Sequence, residues 1–69
     1  MDETWKEYNA QVLLDARRTA GLTQQELAER IGVDKGYISR VERGKTIPSA
    51  AMLYKMAAAM GFCVELKPV

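Results

Sequence analysis

A glycine set between two short apolar patterns constrains this chain more than any other feature. In residues 24–43 (QQELAERIGVDKGYISRVER) apolar side chains fall at Leu27, Ala28 and Ile31, and again at Ile38 and Val41. These are the i, i+1, i+4 and i, i+3 steps of two helices that each bury one narrow face. Gly32 stands between them, and glycine is the residue best able to take the left-handed backbone of a sharp corner. Ala28 matters through its size, because two helices crossing steeply approach closely only where one side chain is short. The pattern predicts two short helices folded against each other across a tight turn.

The local signals around the pair are in register with it. Thr23 is placed to cap the first helix while Glu26 reaches back, and Leu22 to staple against Leu27. Asp34 is a good N-cap for the second helix, and Gly44 closes it. Ala28, Gly32, Ile38 and Val41 occupy positions 5, 9, 15 and 18 of the window that begins at Gln24. That spacing resembles the DNA-binding helix-turn-helix, whose second helix enters the major groove.

With Ile38 and Val41 inward, the second helix turns out Lys35, Gly36, Ser39, Arg40 and Arg43, one continuous stripe. Lys35 lies near the helix start, where groove-entering helices meet base edges. Arg40 is suited to bidentate bonds with guanine, and Gly36 lets the helix sit close. Tyr37 has two roles open to it, packing over the turn or giving its hydroxyl to a phosphate. Gln24 is either an exposed glutamine or a phosphate contact through its backbone N–H and side chain. Arg43, Lys45 and Thr46 are placed to clamp the sugar–phosphate backbone, which supplies affinity without sequence information.

Size and composition narrow the function classes. A 69-residue chain is one small domain that buries only about 60% of its unfolded surface. One cysteine rules out an intrachain disulfide, and the absence of histidine rules out the usual zinc sets, so no metal or cofactor is expected. Oligomerisation is the remaining source of stability. The acidic amino terminus (MDETWKEY) is not a signal peptide, and no apolar run approaches the ~20 residues of a membrane span, so a soluble, cytoplasmic protein is expected. Net charge is +1, but its distribution is uneven. Residues 1–16 hold one lysine against four acids, while residues 17–46 hold seven arginines or lysines against four. A basic middle suits a local phosphate-facing surface. Without histidine or paired carboxylates the common acid–base and nucleophilic constellations are missing, so no enzyme is expected.

The remaining segments complete an expected four-helix domain. A first helix should span residues 4–20, with Thr4 and Glu7 as a capping box and Trp5, Tyr8, Val12, Leu13, Ala16 and Ala20 as its stripe. Trp5 reads as a core or dimer-contact residue, and Gly21 as the closing residue. A last helix starts at Pro48 and Ser49 and carries Leu53, Met56, Ala57 and Met60 inward to Gly61, the methionines acting as core filler. In residues 62–67 (FCVELK) the period changes to two, with Phe62, Val64 and Leu66 on one side. That alternation predicts a half-buried strand needing a partner from outside the chain. The partner is the same strand of a second copy across a two-fold axis, or another protein's sheet edge; otherwise the segment is a frayed tail.

The run GLTQQELAERIGVDKGYISRVERGK resembles the Cro/CI-type (XRE) helix-turn-helix family over roughly residues 12–61. The resemblance implies an all-α, compact four-helix domain. It implies that Gln24, Lys35, Gly36, Ser39 and Arg40 face DNA and that Arg43, Lys45 and Thr46 form a phosphate-contacting loop. It also implies a structural ion pair between Arg17 and Glu42, which would turn the helix's acid away from phosphates. The terminal strand departs from the phage repressors and is similar in layout to antitoxin regulators of the HipB and HigA type. On this reading residues 1–61 are the DNA-binding domain and residues 62–69 the dimerisation element. The expected function is a homodimeric repressor of a roughly palindromic operator, with a toxin as a further partner. A phage Cro-like switch, a restriction–modification controller and a protein-interaction module that keeps the fold as scaffold are the alternatives.

Overall fold

Local capping chemistry divides the chain into four helices. The computed structural model describes residues 9–64, which form α1 (Ala10–Thr19), α2 (Gln24–Ile31), α3 (Lys35–Glu42) and α4 (Ala50–Ala59). Thr23 Oγ1 accepts from the Glu26 N–H at 3.0 Å while Glu26 Oε1 accepts from the Thr23 N–H at 2.8 Å, so α2 begins in a complete capping box. Asp34 Oδ1 caps α3 by accepting from the Tyr37 N–H at 2.6 Å, and Ser49 Oγ caps α4 by accepting from the Met52 N–H at 3.1 Å. Pro48 and Ser49 therefore precede α4 rather than open it.

The helices end in a shared way. The Leu22, Val33, Lys45 and Phe62 N–H groups each reach back to a carbonyl five residues earlier, closing α1, α2, α3 and α4 in turn. At Gly32 this closure decides the fold. Its φ of 76° is a left-handed conformation that a Cβ would penalise, and the chain turns there from α2 into the approach to α3.

The helices enclose one core. Leu27, Ala28 and Ile31 of α2 meet Ile38 and Val41 of α3, Met56 and Met60 at the end of α4, and Leu13 of α1. α2 packs on both α3 and α4, and α1 packs on α3. Leu27, Ile38, Met56 and Val41 are fully buried, each contributing about 1.5–3 kcal/mol relative to exposure. Leu22, half-buried before α2, packs against the same cluster.

α1 is rotated relative to the expected stripe. Ala10, Leu13 and Arg17 face inward, whereas Val12 is 47% exposed and Ala20 lies at the surface. The cause is Arg17, whose side chain must point at α3. Trp5, Tyr8 and the Thr4–Glu7 capping box lie outside the described residues.

The expected strand is the main correction. Phe62, Cys63 and Val64 are irregular backbone, and no strand occurs among the described residues. The Phe62 N–H is bound at 2.9 Å to the Ala57 carbonyl in the closure of α4, which removes it from any ladder. A strand also needs a second strand, and the described part of one chain offers none. Leu66 lies outside the described residues. Phe62 and Val64 instead line an apolar groove of about 560 Å³ together with Val12 and Ala16 of α1 and Leu53 of α4.

An ion pair ties the three parts of this fold together. Arg17 Nε donates to Glu42 Oε2 at 2.6 Å and Nη2 donates to Oε1 at 3.1 Å, across 25 positions of chain. Arg17 Nη1 donates at 2.8 Å to the Leu22 carbonyl, and Gln24 Nε2 donates to Glu42 Oε1 at 2.9 Å. The two charged side chains are only 11% and 3% exposed. Such a pair adds little over well-packed apolar residues, but losing one partner strands a buried charge. Glu42→Ala should therefore destabilise the domain by about 3–5 kcal/mol. At a typical 0.05–0.15 kcal/mol per residue, a chain of 69 residues has about 3.5–10 kcal/mol in all, so the loss is a large fraction of it. Urea denaturation followed by circular dichroism checks this, and Arg17→Met with Glu42→Leu should recover most of the loss.

Candidate nucleic-acid interface

α3 has one wet face and one dry one, and the charges are sorted between them. Ile38 and Val41 are completely buried, and Glu42 turns inward to Arg17. Lys35, Gly36, Arg40 and Arg43 are exposed, and Ser39 is half-buried at the edge of the same arc. At roughly 100° per residue these five positions fall within about 140° of the helix circumference. The structure thus brings Lys35, Gly36, Ser39, Arg40 and Arg43 onto one surface. The acid next to Arg43 is held by Arg17 and does not reach this surface. The amino-terminal end of α3 adds the positive pole of the helix dipole beside Lys35.

The loop after α3 extends this surface. Lys45 is exposed and Thr46 half-exposed, directly after the Gly44 closure. Tyr37 is half-buried and packs its ring against the core cluster, so the packing role is present. Gln24 takes a less expected place. Its side-chain amide donates to Glu42, so what it offers outward is the backbone N–H of the first turn of α2.

Two contacts and one close approach here were absent from the sequence reading. The Gln24–Glu42 bond couples the start of α2 to α3. Arg30 Nη1 donates at 3.1 Å to the Ala59 carbonyl, tying the end of α2 to the last turn of α4. The side chains of Asp34 and Arg40 converge over Gly36, where a Cβ would lie 3.1 Å from Asp34 Oδ1 and 3.2 Å from Arg40 Nη1. Only this last one had a readable signal, the four-residue step from Gly36 to Arg40. Among the described residues no three His, Cys, Asp or Glu side chains gather as a metal site would require. None of the described helices is long and apolar enough to cross a membrane.

Comparison with known proteins agrees with this geometry. Residues 13–63 match the helix-turn-helix family HTH_3, the XRE type. The chain belongs to this family. Over 50 residues, this helix-turn-helix protein is 40% identical to an uncharacterised HTH-type transcriptional regulator of Methanothermobacter thermautotrophicus, a match covering 72% of each chain. It superposes on the clp gene regulator ClgR from Corynebacterium glutamicum with a TM-score of 0.82 and 35% identity, covering 87% of this chain and 77% of that one. Its TM-score with the restriction-modification controller protein C.AhdI from Aeromonas hydrophila is 0.73 at 36% identity, covering 77% and 80%. Some relatives are longer, the matched stretch being 58% of a Sinorhizobium fredii regulator and 36% of a Mycobacterium tuberculosis one. The relatives are HTH-type transcriptional regulators, and the fold they share is the all-helical part of the expected architecture.

The capping box that sets the start of α2 makes that start sensitive to acid. The Thr23 backbone N–H, then the Thr23 hydroxyl, hold the Glu26 carboxyl below its ordinary value, with a smaller contribution from Arg30. A carboxyl lowered in the folded state stabilises fully above its unfolded value, about 4.3, and the contribution is lost as pH falls through the folded pKa. Glu26→Gln should flatten this acid limb of stability while leaving the neutral-pH fold intact. Thermal melts of both proteins across the acid range check it; parallel limbs would place the acid sensitivity elsewhere.

Proposed function

We propose that this protein is a homodimeric, sequence-specific DNA-binding transcriptional regulator, acting as a repressor of its own operon in the manner of an antitoxin. The observation that carries the DNA-binding reading is the exposed face of α3, where Lys35, Arg40 and Arg43 share one arc while Glu42 is turned inward onto Arg17. In this reading Lys35, Gly36, Ser39 and Arg40 meet base edges. The Gln24 backbone N–H, Tyr37, Arg43, Lys45 and Thr46 meet the sugar–phosphate backbone. Residues 1–61 serve as the DNA-binding domain, and a toxin would be a further partner.

Dimerisation is supported by the apolar groove. Val12 and Phe62 are 47% and 46% exposed, and both line it. A second copy covering this groove would give a small domain the additional apolar burial it lacks. Residues 62–69 then supply the dimerisation element through Phe62, Val64 and Leu66. Two recognition helices related by a two-fold axis would reach major grooves about 34 Å apart. The likeness to C.AhdI favours a second reading, a restriction–modification controller. The neighbouring gene separates the two, a small toxin or kinase against a methyltransferase.

The test is a titration against DNA from upstream of the protein's own gene at two salt concentrations, with random DNA as control. Arg40→Ala should cost about 1–3 kcal/mol and relax preference at one base pair. Lys45→Ala should weaken all sequences alike and lower the salt slope by about one. Equal behaviour of the two variants would remove Arg40 from base reading. Phe62→Asp should sediment as a monomer where the wild type sediments as a dimer. An unchanged sedimentation coefficient would take the groove out of the interface.

A further inference from the structure

Gly36 occupies an ordinary right-handed helical position inside α3, where glycine weakens a helix relative to alanine. No backbone requirement explains it, since Gly36 is not among the positive-φ glycines. What does distinguish the position is its surroundings. A Cβ there would stand 3.1 Å from Asp34 Oδ1 and 3.2 Å from Arg40 Nη1, tighter than ordinary van der Waals contact on both sides. Asp34 cannot easily yield, because the same oxygen accepts the Tyr37 N–H at 2.6 Å and caps the helix. Arg40 is the partner that would move. Its side chain runs back toward the helix start, as helical side chains do, and its guanidinium rests in the notch that glycine leaves.

We propose that Gly36 is a specificity-determining residue that acts through Arg40. By leaving a notch, it lets the guanidinium lie back over the first turn of α3, where Arg40 Nη1 comes within 3.2 Å of the position a Cβ would take. The inference rests on the DNA-binding reading above. Arg40 is the sixth residue of α3. Laid back in this way, its charge is delivered beside Lys35, at the end where groove-entering helices meet base edges. A methyl group at position 36 closes the notch and pushes the guanidinium outward. Fork-to-edge pairing with a base depends on the plane and position of that group, so the displacement changes which base pair is preferred and by how much.

This role is distinct from simply letting the helix approach DNA closely, and epistasis separates the two. The wild type, Gly36→Ala, Arg40→Ala and the double variant would each select binding sites from the same randomised duplex library. Gly36→Ala should remain folded, because alanine's better helix propensity offsets strain at the Asp34 cap. It should nevertheless lose about threefold or more of the discrimination at the base pair that Arg40→Ala also relaxes. In the Arg40→Ala background the glycine change should have no further effect on selectivity. A loss of equal size in both backgrounds would mean that the methyl meets the DNA itself, and would overturn the inference. Unchanged selectivity in Gly36→Ala would overturn it as well.

The DNA-free protein gives an independent readout. The Arg40 Nε–H resonance should shift on Gly36→Ala while that of Arg43 stays in place. If the wild type selects no sequence, the DNA-binding reading fails by itself. This resonance then decides the positioning claim: a shifted Arg40 signal upholds it and an unshifted one overturns it.

Discussion

Glu42 holds its carboxylate against the guanidinium of Arg17 at 2.6 Å and accepts the Gln24 amide on its other oxygen, and most of the molecule's geometry follows from that contact. It joins α1 to α3 directly and brings in the start of α2, so the helices of the turn are referenced to a third element. It also sets the rotation of α1, with Leu13 buried and Val12 exposed on adjacent positions. A buried ion pair is a poor source of net stability, since desolving two charges offsets most of their attraction. Its value is in what it forbids. Any slip of α1 or α3 would leave a buried charge without its partner, an arrangement far less stable than a slip between apolar faces.

The same contact shapes the outer surface. α3 must carry an inward-facing side chain at position 42, and here it is an acid whose charge is met inside the protein. The exposed arc of α3 itself then carries Lys35, Arg40 and Arg43 without an acid among them. Stability and recognition thus meet at one residue, and changes at Glu42 are expected to disturb both.

Chain length imposes the other constraint. With helices of eight to ten residues, none could persist alone in water, so each depends on its caps and on the shared core. The capping oxygens of Thr23, Asp34 and Ser49 start three of them, and the backward-reaching N–H groups finish all four. α4 is apolar around much of its circumference, and the groove it shares with α1 leaves Phe62 and Val12 partly open to solvent. A core this small is filled before the apolar side chains run out.

How far the sequence alone reaches can be seen at particular residues. The Thr23–Glu26 box, the Asp34 cap, the Gly32 corner and the inward set of Leu27, Ile31, Ile38 and Val41 were all legible, because each is decided within about one helical turn. The Arg17–Glu42 pair was not derivable from spacing; a likeness to a family suggested it, and the contact spans 25 positions. The alternation from Phe62 onward read as a strand, yet over residues 62–64 the backbone is irregular and the Phe62 N–H closes α4 instead of joining a ladder. The exposure of Val12, the inward turn of Gln24 and the nesting of Arg40 over Gly36 were settled only by the tertiary structure. The physical reason is range. Hydrogen bonds to a neighbouring turn are fixed by which residues stand three to five apart. Helix rotation and side-chain direction are fixed by whichever distant group must be satisfied first.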